Sequence, residues 1–175
     1  LGDVRYDLAF GGAFYAYVDA SVLGLSLLPQ STSQLIAVGR AIKEAVAGSR
    51  SIPHPTQPEL GFLYGVIFIG EAYDADHHSR NVCVFADGEV DRSPTGTGVS
   101  GRLAIHHARG EVEVGEPITV ESIVGSTFTG RVVETTSLGG LQAVAPEVAG
   151  TAHIIGRSEF WIDPGDALGE GFLLR

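Results

Sequence analysis

One glycine-rich segment, residues 90–102, contains most of the side chains that could take part in chemistry. It reads Val-Asp-Arg-Ser-Pro-Thr-Gly-Thr-Gly-Val-Ser-Gly-Arg, so an acidic residue, a proline and a small hydroxyl residue precede the glycines. This order predicts the start of a short helix. The first N–H groups of a helix have no partner within it and, together with the helix dipole, attract a carboxylate or phosphate. Glycine lets a ligand approach that backbone closely. The segment therefore predicts half of an active site.

The same glycines also match the spacing of a dinucleotide-binding loop. Gly96, Gly98 and Gly101 fit G-x-G-x-x-G. That loop, however, needs its first glycine directly after a strand. Here the preceding strand is predicted to end near Ala86, and residues 91–94 intervene. A small carboxylate at the helix N-terminus is therefore the better interpretation.

The histidines do not have the spacing of a metal site. Neighbouring histidines on one strand or helix point apart, and no His-Glu-x-x-His pattern occurs, so we expect no bound metal. His78 has two open interpretations, a structural role near the site or a place on a solvated loop. The six histidines are His54, His77, His78, His106, His107 and His153.

The single cysteine, Cys83, lies in an apolar run, residues 81–86, that is typical of a buried strand. A lone cysteine excludes a disulfide within this sequence. Free cysteine commonly behaves as a small buried hydrophobic residue. We therefore predict a packing role for Cys83 and not a catalytic one.

Composition limits the class of protein. A chain of 175 residues with 44% apolar content can bury one core, which favours one domain. Its formal net charge is −10 and its basic residues are scattered, so nucleic acid is not an expected partner. No stretch approaches the roughly 18 apolar residues of a membrane span, and no signal peptide is visible. We therefore expect no membrane partner and a cytoplasmic protein.

Two helices are predicted to position this chemistry. One covers residues 31–47, with Gly48 as its stop, and the other covers residues 97–108 within the glycine-rich segment and ends at Gly110. The apolar residues on one face of the first helix are Leu35, Val38, Ile42, Ala45 and Val46.

Most of the remaining chain is predicted to form strands. Two helices among eight or nine strands, in an order that does not alternate regularly, indicate an α+β fold and not a doubly wound sheet. The chain has no Met and begins at Leu1 within a predicted strand, so we expect an N-terminal portion outside this sequence. The predicted strands are residues 4–10, 13–18, 60–69, 81–86, 118–124, 127–134, 142–148, 152–155 and 159–162.

Residues 91–98 resemble the second catalytic motif of the proline racemase family, which reads Asp-Arg-Ser-Pro-Cys-Gly-Thr-Gly in its racemases. Thr95 stands where those enzymes carry a catalytic cysteine. With threonine at this position, the sequence resembles the trans-3-hydroxy-L-proline dehydratase branch of the family. The resemblance extends over nearly the whole chain, through residues 11–16, 78–81, 125–130 and 171–174.

This resemblance implies a fold and a domain arrangement. The chain would be one lobe of a two-lobed, diaminopimelate-epimerase-like fold, with a mixed or antiparallel sheet around a central helix. Residues 1–168 would form the C-terminal catalytic lobe, and residues 169–175 a tail that crosses back to an N-terminal lobe outside this sequence. The family also implies a cofactor-independent enzyme that is commonly a homodimer.

The resemblance also implies roles for single residues. Asp91 would hold the ring ammonium of an imino acid, although a capping role is the simpler alternative. Gly96 and Thr97 would offer backbone N–H groups to the substrate carboxylate. Apart from the resemblance, Arg92 and Arg102 flank the segment and have an interpretation as anion ligands, with a surface or lobe-bracing role as the alternative for Arg92.

Thr95 decides the expected reaction. A racemase needs two groups that can each take and return the α-proton, and an alcohol does not reach the acidity of a thiol at a helix N-terminus. One base, implied on the missing lobe, still permits loss of water from trans-3-hydroxy-L-proline to give Δ1-pyrroline-2-carboxylate. Whether the Thr95 hydroxyl bonds to the departing oxygen or fills space is open. The alternatives are a proline racemase or 4-hydroxyproline epimerase, and a catalytically silent imino-acid-binding lobe. The isolated chain is expected to be inactive.

Overall fold

A mixed sheet organises the chain in the computed structural model, which describes residues 2–172. Over those residues the strand order is β1-β2-β3-β4-β6-β7-β8, and the short β5 pairs with the C-terminal end of β4. The pairs β2–β3 and β4–β6 are parallel and the rest are antiparallel, so the predicted α+β class with a mixed sheet is confirmed. The strands are β1 (Asp7–Phe10), β2 (Phe14–Asp19), β3 (Leu63–Gly70), β4 (Ser79–Phe85), β5 (Glu89–Val90), β6 (Pro117–Glu121), β7 (Thr127–Leu138) and β8 (Leu141–Gly150).

Helix α1 (Thr32–Ser49) covers one face of the sheet. It buries Leu35, Ile42 and Val46 and half-buries Val38, as the periodicity predicts, whereas Ala45 of the predicted face is exposed. The predicted stop at Gly48 is wrong, because the helix continues through that residue, which does not adopt the left-handed conformation of a helix-ending glycine.

Helix α2 (Gly96–Ala108) lies on the opposite face of the sheet. Side chains alternate between the two faces along a strand, so every second residue of β2 and β3 points towards this face. Its Val99 and Leu103 pack with Val120 and Val132 of β6 and β7. The helix predicted over residues 97–108 is therefore confirmed to within one residue. Among residues 2–172, neither helix is long and apolar enough to cross a membrane.

Strands β7 and β8 form a long hairpin whose turn is made by Gly139 and Gly140, both with positive φ. After β8 the predicted strands at residues 152–155 and 159–162 are wrong, because residues 151–163 have no strand pairing among the described part of the chain. Their apolar side chains are exposed, Trp161 by 87%. Of the tail predicted for residues 169–175, the last three lie outside the described residues.

Candidate active site

The loop between β5 and α2, residues 91–95, carries the predicted site residues and is held by its own hydrogen bonds. Pairing of β5 with β4 delivers Asp91, whose N–H donates to the Cys83 carbonyl at 3.2 Å. The Ser93 N–H donates to Asp91 Oδ1 at 2.8 Å, and the Thr95 N–H donates to Ser93 Oγ at 3.0 Å. Side chains that bond their own backbone in this way fix a tight turn.

Thr95 is the N-cap residue of α2, but its hydroxyl does not cap the helix. It donates instead to Asp91 Oδ2 at 2.9 Å. Thr95 is only 7% exposed and has φ 68°, a conformation that is unfavourable for a β-branched residue. Such strain persists only where the surrounding structure enforces it, and it is common at functional sites. The structure thus brings Asp91 and Thr95 into direct contact.

The N-terminus of α2 lies directly after this pair. The Val99 N–H donates to the Thr95 carbonyl at 2.8 Å, so the N–H groups of Gly96, Thr97 and Gly98 precede the first bond within the helix. Such groups favour an anion through both their hydrogens and the helix dipole. At Gly96 a Cβ would meet only the Phe128 ring, at 3.9 Å, so little crowds the backbone there. The predicted carboxylate-binding groups and Asp91 are therefore neighbours.

Two buried tyrosines of β2 hold the first turn of α2, a contact that the strand predicted over residues 13–18 does not reveal. Tyr15 Oη hydrogen-bonds with Thr97 Oγ1 at 2.9 Å, and Tyr17 Oη donates to the Gly98 carbonyl at 2.9 Å. Burial raises the pKa of Tyr15 to about 12 and raises the pKa of Tyr17 further, so both phenols are neutral at physiological pH. Their spacing of two residues, which places both on one face of a strand, is the signal in the sequence.

The glycines of the segment let α2 approach the sheet. A Cβ on Gly98 would lie 2.4 Å from Ile67 Cδ1, and one on Gly101 would lie 2.2 Å from Tyr17 Oη. Likewise, a Cβ on Gly11, in the β1–β2 turn, would lie 2.2 Å from the Thr97 carbonyl oxygen. Helix packing therefore accounts for two of the three glycines that match the dinucleotide pattern.

Cys83 lies behind Thr95 and interacts with its side chain. Its side chain is buried in the cluster with Tyr15, Tyr17 and Ile67, which confirms the predicted packing role. Burial raises the pKa of the Cys83 thiol to about 12. This thiol is therefore not available as a base beside Thr95.

His78 lies at the C-terminal end of α2, the opposite end from Thr95. Its ring packs against His106 with centroids 4.9 Å apart, and its Nδ1 bonds to Ser79 Oγ at 2.9 Å. Burial, together with the nearby Arg102 charge, lowers the pKa of His78 to about 4. His78 is exposed and lies in the loop directly before β4, so the place on a solvated loop fits and the structural role near the site does not.

The two arginines of the segment have different environments. Arg92 leads into the turn before α2, and its carbonyl accepts a hydrogen bond from Ser126 Oγ at 2.9 Å. Arg102 is buried and contacts Ser79, Asn81 and His106. Arg102 is therefore an interior residue and not a surface anion ligand.

Known proteins resemble this chain over almost its full length. The family model described as proline racemase matches residues 1–173. A trans-3-hydroxy-L-proline dehydratase of Colwellia psychrerythraea is 55% identical over 175 residues, which is all of this chain and 49% of that protein. A 3-hydroxyproline 2-epimerase of Burkholderia multivorans is 44% identical, over 99% of this chain and 52% of that protein.

A solved structure shows the same fold. The crystal structure of a hydroxyproline epimerase from Agrobacterium vitis, with bound trans-4-hydroxy-L-proline, has a TM-score of 0.89 and 38% identity to this chain. The match covers 98% of this chain and 49% of that one. The chain thus spans about half the length of the curated relatives and of the solved structure that it matches.

Proposed function

The chain belongs to the proline racemase family, and from this premise we propose that it supplies the substrate-binding half-site of a cofactor-independent hydro-lyase. The reaction is the dehydration of trans-3-hydroxy-L-proline to Δ1-pyrroline-2-carboxylate. The observation that carries this proposal is Thr95, a hydroxyl residue at the N-terminus of α2 in the position that resembles a racemase's cysteine. The relative named trans-3-hydroxy-L-proline dehydratase, at 55% identity, supports it.

In this proposal the loop and α2 bind both charges of the substrate. Asp91 accepts hydrogen bonds from the ring ammonium, and the N–H groups of Gly96 and Thr97 donate to the carboxylate. Hydrogen bonds between charged partners are stronger than neutral ones, and helix N-termini suit carboxylates. The contact between Asp91, in the loop before α2, and Thr95, the N-cap residue of α2, supports binding of one small zwitterion at this position.

The proposed site has a single base. Racemisation needs two groups on opposite faces of Cα that exchange protons, and the Thr95 alcohol is far less acidic than a thiol. Cys83, the thiol behind Thr95, is buried with a pKa raised to about 12 and cannot replace it. We therefore propose that the base lies in the part of the protein outside this sequence, as the family resemblance implies.

One base suffices for the elimination because of the substrate's stereochemistry. In the trans isomer the hydroxyl and the carboxylate lie on opposite ring faces, so the hydroxyl and the α-hydrogen share a face. The base takes the α-proton, the C–H electron pair forms a Cα–Cβ double bond, and the Cβ–O bond breaks. The protonated base then returns its proton to the departing oxygen, giving water. A proton finally moves from the ring nitrogen to Cβ, which yields the cyclic imine.

The test uses the full-length protein and trans-3-hydroxy-L-proline, followed by NMR. We expect loss of the substrate signals and formation of the cyclic imine, without racemisation of L-proline. Residues 1–175 alone should be inactive, because the proposed base is absent. Racemisation of proline by the full-length protein without dehydration would instead support the epimerase alternative, for which the Burkholderia multivorans relative is the supporting observation. Binding of substrate without turnover would support a silent imino-acid-binding lobe.

We further propose that residues 1–168 form the C-terminal catalytic lobe of a cytoplasmic homodimer. The coverage of about half of each relative supports a second lobe in the same protein. Sedimentation of the full-length protein tests the dimer.

A further inference from the structure

A series of hydrogen bonds, called the hydrogen-bond chain below, runs through the interior next to the site loop, residues 91–95. Asn81 of β4 is fully buried, and its Nδ2 donates to the Pro94 carbonyl at 3.1 Å. Arg102 Nη1 donates to Asn81 Oδ1 at 3.0 Å. Arg102 Nη2 lies 3.0 Å from His106 Nε2, and His106 Nδ1 bonds to the Glu111 carboxylate. The hydrogen-bond chain thus links Glu111, at the surface, to the residue before Thr95.

Each member of the hydrogen-bond chain has only one possible orientation. A guanidinium donates and never accepts, so the Asn81 oxygen must face Arg102 and the Asn81 amide NH₂ must face Pro94. For the same reason His106 accepts at Nε2, and its Nδ1–H faces Glu111. The Asn81 amide is therefore locked in the orientation that donates to the Pro94 carbonyl.

The Arg102 charge gives the hydrogen-bond chain its rigidity. Arg102 is only 5% exposed, and the groups it contacts directly are neutral. Burial lowers its pKa to about 10, so it is charged at neutral pH. Loss of a partner would leave part of a buried charge unsatisfied, which is costly. The Glu111 carboxylate acts on the Arg102 charge and is linked to it through His106.

Pro94 precedes Thr95, whose φ of 68° must be maintained by its neighbours. We propose that Asn81 is a positioning residue, which holds the Pro94 carbonyl so that the Thr95 hydroxyl stays on Asp91. Arg102, with His106 and Glu111, positions Asn81. The kinetic part of this inference rests on the proposed function, whereas the geometric part does not.

The experiment introduces Asn81→Asp into the full-length protein. Aspartate has the same shape and still accepts from Arg102, but it presents an oxygen to the Pro94 carbonyl in place of a donor. We expect kcat to fall about tenfold to a hundredfold, as for loss of one buried hydrogen bond. KM should change less, because Tyr15 and Tyr17 hold the first turn of α2 independently. A crystal structure of the variant should show Thr95 Oγ1 beyond hydrogen-bonding distance of Asp91.

Ser79→Ala is the matched control. Ser79 is also buried and also accepts from Arg102, but its hydroxyl contacts His78 and not the site loop. It should lower the melting temperature, and it should lower kcat less than Asn81→Asp does, because the bond from Asn81 to the Pro94 carbonyl is kept. Glu111→Gln, at a half-exposed position, should leave the fold intact and lower kcat by about twofold to tenfold through weaker support of His106.

Two results would overturn the inference. One is an Asn81→Asp protein that keeps both kcat and the bond between Thr95 and Asp91. The other is a Ser79→Ala protein whose kcat falls as far as that of Asn81→Asp. If the parent protein does not dehydrate its substrate, the proposed function fails, and the crystal structures of the two variants still decide the role of Asn81.

Discussion

The Asp91 carboxylate makes two hydrogen bonds within the protein before any substrate is present. Oδ1 accepts from the Ser93 N–H and Oδ2 accepts from the Thr95 hydroxyl. A carboxylate can accept about four hydrogen bonds, so capacity remains for a substrate ammonium. The capping role and the binding role, which are alternatives when the sequence is considered by itself, are therefore compatible.

Asp91→Asn in the full-length protein separates these roles. Asparagine still accepts from the Ser93 N–H, so the turn and the melting temperature should be largely kept. The substrate ammonium loses its counter-charge, at a cost of about 3 to 5 kcal/mol, so kcat/KM should fall about a hundredfold or more. Steady-state kinetics and thermal denaturation check this. Near-parental kinetics would show that Asp91 only forms the turn.

Thr95→Cys should add a second reactive group to the site. A thiol at a helix N-terminus can ionise and return a proton to the second face of Cα. We expect the variant to epimerise proline or hydroxyproline, or to exchange the α-proton in heavy water, while dehydration persists or weakens. Chiral chromatography and NMR measure this, with Thr95→Ser as the control that keeps a hydroxyl. The assignment to a dehydratase fails if the unmutated protein already racemises proline.

At the scale of elements, the close approach of α2 to the sheet fixes where its N-terminus lies. Tyr17 fills the space beside Gly101 and also bonds to the Gly98 carbonyl, so the ring has little freedom to move. The geometry of the anion-binding end thus depends on small residues one turn further along the helix.

Gly101→Ala should therefore destabilise the protein, although alanine is the better helix former. The added Cβ would lie 2.2 Å from Tyr17 Oη, and overpacking of this kind costs about 1 to 3 kcal/mol. Gly48→Ala, in α1, is the control, because a Cβ there meets nothing within 4 Å. It should stabilise by about 0.5 to 1 kcal/mol. Urea denaturation of both variants measures the difference, and equal stabilities would contradict the packing argument.

Sequence patterns predicted the helices correctly, because the backbone hydrogen bonds of a helix lie within the helix itself. The apolar face of α1 and the proline and glycines around Thr95 were sufficient to predict both helices. The strands expected at residues 152–155 and 159–162 have the right composition, but a strand needs a neighbour, and no pairing is present among residues 2–172. The contacts of Tyr15 and Asn81 with the site depend on tertiary packing, which periodicity does not reveal.

At the scale of the whole molecule, Glu121 at the end of β6 joins the loop before β4 to the sheet. It accepts from the N–H groups of Tyr73 and Asp74 and bonds with His77 and Arg80. Burial alone would raise its pKa, but these hydrogen bonds lower the pKa of Glu121 from 4.5 to about 2. One buried carboxylate thus adds side-chain bonds between this loop and β6, beside the backbone bond from the His78 N–H to the Thr119 carbonyl.

A lowered carboxyl pKa stabilises the fold above the unfolded-state value and loses this contribution as pH falls through the folded-state value. Stability contributed by Glu121 should therefore be complete above about pH 4.5 and decline towards about pH 2. Glu121→Gln should cost about 3 to 5 kcal/mol at pH 7 and progressively less in acid. Denaturant titrations of parent and variant over this pH range measure it. A constant difference would contradict the assignment.

The segment after β8 exposes several large apolar side chains, among them Ile154, Phe160 and Trp161. Since the chain spans about half of its relatives, we expect this segment to dock on the remaining part of the same protein. The difference in fluorescence between the full-length protein and its Trp161→Phe variant should then show a blue-shifted emission that acrylamide quenches poorly. An emission typical of water-exposed tryptophan would contradict docking.

The use of backbone N–H groups at the N-terminus of α2 affects how this lobe can evolve. The carboxylate ligands proposed here are backbone N–H groups, so an ordinary missense mutation at Gly96 or Thr97 alters their setting without deleting them, and only proline removes one. At position 95 the side chain itself takes part, so a missense mutation there replaces the functional group. In the genetic code threonine reaches cysteine through serine by successive single-base substitutions. An ancestral lobe could therefore cross between lyase and epimerase chemistry through intermediates that still recognise the same imino acids.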